Sequence, residues 1–157
     1  MIFDSRGQFH PGADVYAHGP RLGNGGGHVI RIQPTGQYEQ VGLAWYYDDS
    51  HMVKLGREIV DGPVCVVMGR EERDQCRTIA RPPVPGGWYR LRLIVSGNQI
   101  RGQYWPEGAS GWTDAGSCDL PVPPNGKAKI SLHSYNGPAD QEHWARITDF
   151  SIVRRTR

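Results

Sequence analysis

Val41-Gly-Leu-Ala-Trp-Tyr-Tyr-Asp-Asp-Ser-His-Met-Val-Lys-Leu-Gly-Arg-Glu58 reads as two apolar-rich strands joined by a polar Asp-Asp-Ser-His turn. Side chains alternate faces along a strand, so the first, over about 38 to 47, sends Val41, Leu43 and Trp45 one way and Gln40, Gly42, Ala44 and Tyr46 the other. The second, over about 51 to 60, splits Val53, Leu55 and, less clearly, Arg57 from Lys54, Gly56 and Glu58. If the apolar set faces the core, Gln40, Tyr46, Lys54 and Glu58 look out over a surface kept shallow by Gly42, Ala44 and Gly56. Small residues flanked by polar and aromatic ones make a floor for a ligand.

The same alternation recurs along the chain. Strands are expected over about 28 to 33, 63 to 69, 75 to 81, 88 to 96, 99 to 105, 111 to 118, 127 to 135 and 142 to 153, giving ten with the first two. Pro34-Thr-Gly, Asp61-Gly-Pro, Pro82-Pro-Val-Pro-Gly-Gly, Ser96-Gly-Asn, Pro123-Pro-Asn-Gly and Asn136-Gly-Pro mark the turns between them. No helix-period run of convincing length competes. Ten short strands without helices predict an all-β fold, a two-sheet antiparallel β-sandwich or a barrel, and jelly-roll connections would curve its sheets. A chain of 157 residues is one domain by length. Its first 27 residues, rich in His-Pro-Gly, Gly-Pro and Gly-Asn-Gly-Gly-Gly signals, read as an irregular wrap, and Arg154-Arg-Thr-Arg157 as a basic tail.

Composition excludes several function classes. Net charge is only +2 and the arginines are scattered, so no nucleic-acid footprint is formed. No stretch approaches the ~20 apolar residues that cross a bilayer, and Met1-Ile-Phe-Asp-Ser-Arg lacks a signal-peptide core, so a cytoplasmic protein is expected unless a leader has been removed. The glycine run Gly23 to Gly27 lacks the Lys-Ser/Thr of a P-loop. No Gly-x-Ser-x-Gly elbow is present. Three cysteines make an odd count. Cys65 and Cys76 flank the charged tip Gly69-Arg-Glu-Glu-Arg-Asp74 symmetrically, so a simple hairpin would set them opposite each other, as two buried thiols or as a cross-strand disulfide.

The outward set comprises Gln40, Tyr46, Lys54, Glu58, Arg90, Arg92, Gln103, Trp105, His133 and Tyr135. Such a surface suits a sugar, whose C–H faces stack on aromatic rings while its hydroxyls bond amide, carboxylate, ammonium and guanidinium groups. The alternative is that these are ordinary exposed residues on two different faces. Glycoside hydrolysis needs two carboxylates about 5 to 10 Å apart. Glu58 stands alone on its strand, Glu39 points away from Gln40, and Glu71, Glu72 and Asp74 sit at a hairpin tip.

In order along the chain, Val41-Gly-Leu, Asp48-Asp-Ser-His, Val53-Lys-Leu-Gly-Arg-Glu58, Trp88-Tyr-Arg-Leu-Arg-Leu, Gln103-Tyr-Trp and Thr148-Asp-Phe resemble the motifs of concanavalin A-like β-sandwich domains. The likeness is to the microbial domain of unknown function 1349 and to the domain at the C-terminus of some β-xylosidases. It spans about 29 to 153 and departs over 69 to 80, which is charged and cysteine-bearing where a plain hairpin would be expected. The resemblance implies a jelly-roll sandwich with a sugar groove on its concave sheet, and it implies a structural calcium where first and last strands meet, with Asp4 and Asp149 supplying oxygens. No other cofactor is implied. The residues and the resemblance together predict a non-catalytic carbohydrate-binding module that engages neither nucleic acid nor membrane. The rival readings are a glycoside-processing enzyme using Glu58 with Lys54 or His133, and a protein-interaction module.

Overall fold

A computed structural model describes residues 2–4, 28–31, 34–122, 128–137, 144–148, 150 and 152. Its described residues form eleven strands and no helix: β1 (Ile2–Asp4), β2 (His28–Arg31), β3 (Gln40–Asp48), β4 (His51–Ile59), β5 (Val64–Glu72), β6 (Gln75–Ala80), β7 (Tyr89–Ser96), β8 (Gln99–Pro106), β9 (Thr113–Asp119), β10 (Lys129–Tyr135) and β11 (Trp144–Thr148). No helix among them is long and apolar enough to cross a membrane. The expected irregular wrap of the first 27 residues, apart from β1, and the basic tail lie outside the described residues.

The strands pair antiparallel into two sheets, one ordered β1-β11-β2-β7-β8-β9 and the other β10-β3-β4-β5-β6. The fold is an all-β, two-sheet antiparallel β-sandwich. Consecutive hairpins build most of the five-stranded sheet and half of the six-stranded one, since β3 to β6 follow one another in space as in sequence and so do β7 to β9. Between the sheets lies one apolar core, to which the first sheet gives Tyr89, Leu91, Ile100, Tyr104 and Ile147 and the second Val41, Leu43, Val53, Leu55, Val66 and Met68. Gly102 marks where they press together: a Cβ there would lie 3.0 Å from Met68 Sδ and 3.1 Å from Leu55 Cδ1.

Two inward positions differ from the simple apolar reading. Arg57 pairs with Val41 and shares its face, and it is fully buried. Its guanidinium lies 4.7 Å over the Tyr89 ring and its Nη1 donates to the Gly87 carbonyl at 3.0 Å. A stacked aromatic face and a carbonyl partly offset the desolvation that lowers its pKa. Trp45 packs against the core half-buried rather than wholly buried, and its Nε1 has no partner among the described residues.

The hairpin tip is also shorter than its sequence suggests. β5 runs on to Glu72, and the turn consists of Arg73 and Asp74 alone, both at left-handed φ (54° and 61°). That is the backbone a two-residue hairpin of type I′ requires, here reached without glycine. Moving the tip moves the cysteines: Cys65 pairs with Glu58 and bridges to Pro83, whereas Cys76 pairs with Glu71. Six residues along β5, roughly 20 Å, separate the two levels. All three thiols are free, with Cys76 exposed and Cys65 and Cys118 buried, and burial raises the pKa of each buried one.

Candidate functional site

Cross-strand register turns the outward residues of β10, β3, β4 and β5 into rows. One row holds Tyr135, Gln40, Glu58 and Cys65; the next holds His133, Gly42, Gly56 and Val67; a third holds Ser131, Ala44, Lys54 and Gly69. The middle row is a floor of glycine. A Cβ on Gly42 would lie 2.3 Å from the Leu55 carbonyl oxygen, and one on Gly56 would lie 2.6 Å from that of Val41. Only hydrogen fits between the two strands there.

Across this floor Lys54 reaches both polar neighbours. Its stem lies over Gly69, where a Cβ would come within 3.1 Å of Cε. Its Nζ donates to Gln40 Oε1 at 2.8 Å and to Glu58 Oε2 at 3.2 Å. Gln40 and Glu58 are 2% and 5% exposed although they point away from the core, so the cation and the carboxylate are paired where water screens them little. His133 completes the group. Burial first and the Lys54 cation second lower its pKa to about 4, so the imidazole is neutral at neutral pH, and its buried Nε2 has no partner among the described residues. One row beyond Lys54, Tyr46 donates its hydroxyl to Asp49 Oδ1 at 2.7 Å; that bond holds the phenol's pKa above its ordinary value and ties the ring to the β3–β4 turn. Tyr135 pairs with Gln40 along the β10–β3 ladder.

Arg90, Arg92, Gln103 and Trp105 do not join them. They belong to β7 and β8 and occupy the outward face of the other sheet, where Arg90 pairs with Trp105 and Arg92 with Gln103. The single outward surface read from alternation is therefore two surfaces, because alternation is local while sheet membership is set by pairing. On this second face the Arg90 guanidinium lies 5.4 Å over Trp105 and that of Arg92 4.0 Å over Trp112, and the two indoles meet edge to face at 5.7 Å. Arg92 Nε donates to Gln103 Oε1 at 2.6 Å, and Gln103 Nε2 donates to Asp114 Oδ1 at 2.5 Å. Sequence reasoning missed Trp112 and Asp114. A register shift between Gly102 and Gln103 sets Asp114 opposite Gln103, where an unbroken ladder would set Ala115.

Among the described residues, the outward rows of the first face bring no second carboxylate to the level of Glu58. Glu71 is the other acid that register places on the outward rows, and it lies six residues along β5 from the level of Glu58, roughly 20 Å against the 5 to 10 Å of a hydrolytic pair. Glu39 faces elsewhere and holds the preceding loop, its Oε2 accepting from the amides of Thr35 (2.7 Å) and Gly36 (3.1 Å).

Among the described residues no group of three or more His, Cys, Asp or Glu side chains is placed to hold a metal. Of the two residues expected to bind calcium, Asp4 alone is among the described residues. Asp4 pairs with Trp144 of β11, and Asp149 lies outside the described residues.

No protein-family model matches the sequence, and no curated protein does. Solved structures match the fold. The GH43 BlXynB protein from Bacillus licheniformis aligns at 16% identity with a TM-score of 0.65, over 79% of this chain and 27% of that one. A xylan β-1,4-xylosidase from Bacillus halodurans C-125 aligns at 15% with a TM-score of 0.64, over 78% and 27%. A functionally unknown protein from Saccharomyces cerevisiae aligns at 14% with a TM-score of 0.66, over 83% and 69%. The chain thus spans about a quarter of the two Bacillus chains it matches, and at these identities the likeness shows a shared β-sandwich fold.

Proposed function

We propose that the protein is a non-catalytic carbohydrate-binding module whose site is the outward face of β10, β3 and β4, and that it is a concanavalin A-like jelly roll related to the domain of unknown function 1349. The observation that carries this reading is the Lys54–Gln40–Glu58 cluster over the Gly42–Gly56 floor. Lys54 has three donors and uses two within the protein, so one is left for a sugar hydroxyl, which Glu58 and the Gln40 carbonyl oxygen can complement as acceptors. The glycines keep the strands low enough for a ring to lie flat, and Tyr46 offers an aromatic edge beside it. Xylan is named for one of the matched structures, and that chemistry sets the first probes.

Hydrolysis is disfavoured by the roughly 20 Å that separates the levels of Glu58 and Glu71 along β5. Calorimetric titration should find xylo-oligosaccharides or another neutral glycan bound with a dissociation constant between about 1 mM and 1 μM. Incubation with the same glycans should release no new reducing ends. Turnover that disappears in Glu58→Gln would overturn the reading in favour of an enzyme, and no binding across a glycan panel would favour a protein-interaction module.

A further inference from the structure

We infer that the outward face of β7, β8 and β9 is a second carbohydrate site, one that takes sugar chains bearing carboxylates, such as polyuronates. Three successive rows on this face each carry a guanidinium: Arg90 beside Trp105, Arg92 beside Gln103, and Arg101 beside Ile94. Rows in a sheet are about 7 Å apart, so the three bases rise from a line of roughly 14 Å, the reach of a short oligosaccharide. The outward acids of β9 are Asp114, which also lies 4.0 Å from Arg101 Nε, and Asp119, which accepts from the Gln99 amide at the far end of the hairpin. Among the described residues, cations therefore exceed acids where Arg90, Arg92 and Arg101 gather.

These side chains are also held in place before any ligand arrives. Trp105 Nε1 donates to the Ala109 carbonyl at 2.8 Å, which fixes the ring that Arg90 covers. Arg92 is clamped between the Trp112 face and Gln103, whose amide is fixed in turn by Asp114. A preordered planar guanidinium loses little freedom on binding and matches the two oxygens of a carboxylate, which an ammonium does not. Indole edges beside the arginines supply the apolar contact that a pyranose ring needs. Nucleic acid fits less well, because a strand needs a longer basic track and open aromatic faces, and here an arginine covers one face of each indole.

The two sites are separable, since Lys54 and Glu58 lie on the other sheet. Calorimetry on the full chain should show oligogalacturonate binding at about 50 mM salt that weakens toward about 500 mM, as expected for exposed charges. Arg101→Glu, at a side chain 51% exposed, and Arg90→Gln should each weaken it about tenfold, equivalent to roughly 1.4 kcal/mol, and Lys54→Ala should leave it unchanged. Xylo-oligosaccharide binding should respond in the opposite way to the same variants, so failure of one site is distinguishable from failure of the other. Absence of oligogalacturonate binding at low salt, its loss in Lys54→Ala but not in Arg101→Glu, or tighter binding of a single-stranded oligothymidylate of equal charge would each overturn the inference.

Discussion

The outward faces of the two sheets use the same residue classes in opposite ways. On the five-stranded sheet a cation and an acid are paired, Lys54 with Glu58, and sunk beside glycines until the carboxylate is 5% exposed. On the six-stranded sheet two cations are lifted onto tryptophans, and among the described residues cations outnumber the acids near them. Small neighbours let charged groups settle low, where they satisfy each other and present hydroxyl-matching donors and acceptors. Large aromatic neighbours hold guanidinium groups up and flat, with their charge directed outward. Polarity pattern alone does not separate the two; the size of the flanking residues does.

That contrast can be broken first at its floor. Gly42→Ala sets a methyl 2.3 Å from the Leu55 carbonyl, and thermal melting should show a loss near the upper end of the range for overpacking, about 3 kcal/mol. An unchanged melting temperature would mean that the strands are not pressed together there.

The next effect is pH dependence from His133. Its folded pKa is about 4 against 6.5 unfolded, so as pH falls from 6.5 toward 4 the unfolded chain takes up a proton that the folded chain refuses. Stability should therefore decline across that window by at most about 3 kcal/mol and be independent of this group above it. Urea titrations of wild type and His133→Gln over pH 4 to 7 check this, since the variant should lack that part of the slope.

Smaller losses separate the faces directly. Lys54→Ala leaves the buried Glu58 carboxylate without its cation and should cost about 1–3 kcal/mol, more than an ordinary surface change. Arg90→Ala removes a partly solvated cation–π contact with Trp105 and should cost about 0.5–1 kcal/mol. Equal costs for the two variants would erase the distinction drawn between a sunken and a raised charge.

Much of this was legible in the sequence and some was not, for identifiable reasons. Alternation placed Val41, Leu43, Val53 and Leu55 in the core, and it correctly set Gln40, Tyr46, Lys54, Glu58 and His133 on one outward face, because each strand obeys the same period. Alternation also sets Arg90, Arg92, Gln103 and Trp105 outward but leaves one face or two open, since nothing local reports that β7 and β8 pair with β2 and β9 rather than with β3. The Gly102/Gln103 shift, which sets Asp114 opposite Gln103, and the Arg73–Asp74 turn, which moves Cys76 away from Cys65, are single-residue events inside otherwise regular patterns. Arg57 was legible only as an inward position; its acceptance in the core depends on Tyr89, which comes from the opposite sheet.

The central claim is that a neutral glycan lies on the floor between Lys54 and His133. Amide chemical-shift mapping during titration with a xylo-oligosaccharide tests it most directly. Shifts concentrated in 40–44, 54–58 and 131–134, and absent from the same titration of Lys54→Ala, are the predicted result. Shifts confined to 90–92, 101–105 and 112–114, or a pattern unaffected by Lys54→Ala, would contradict it.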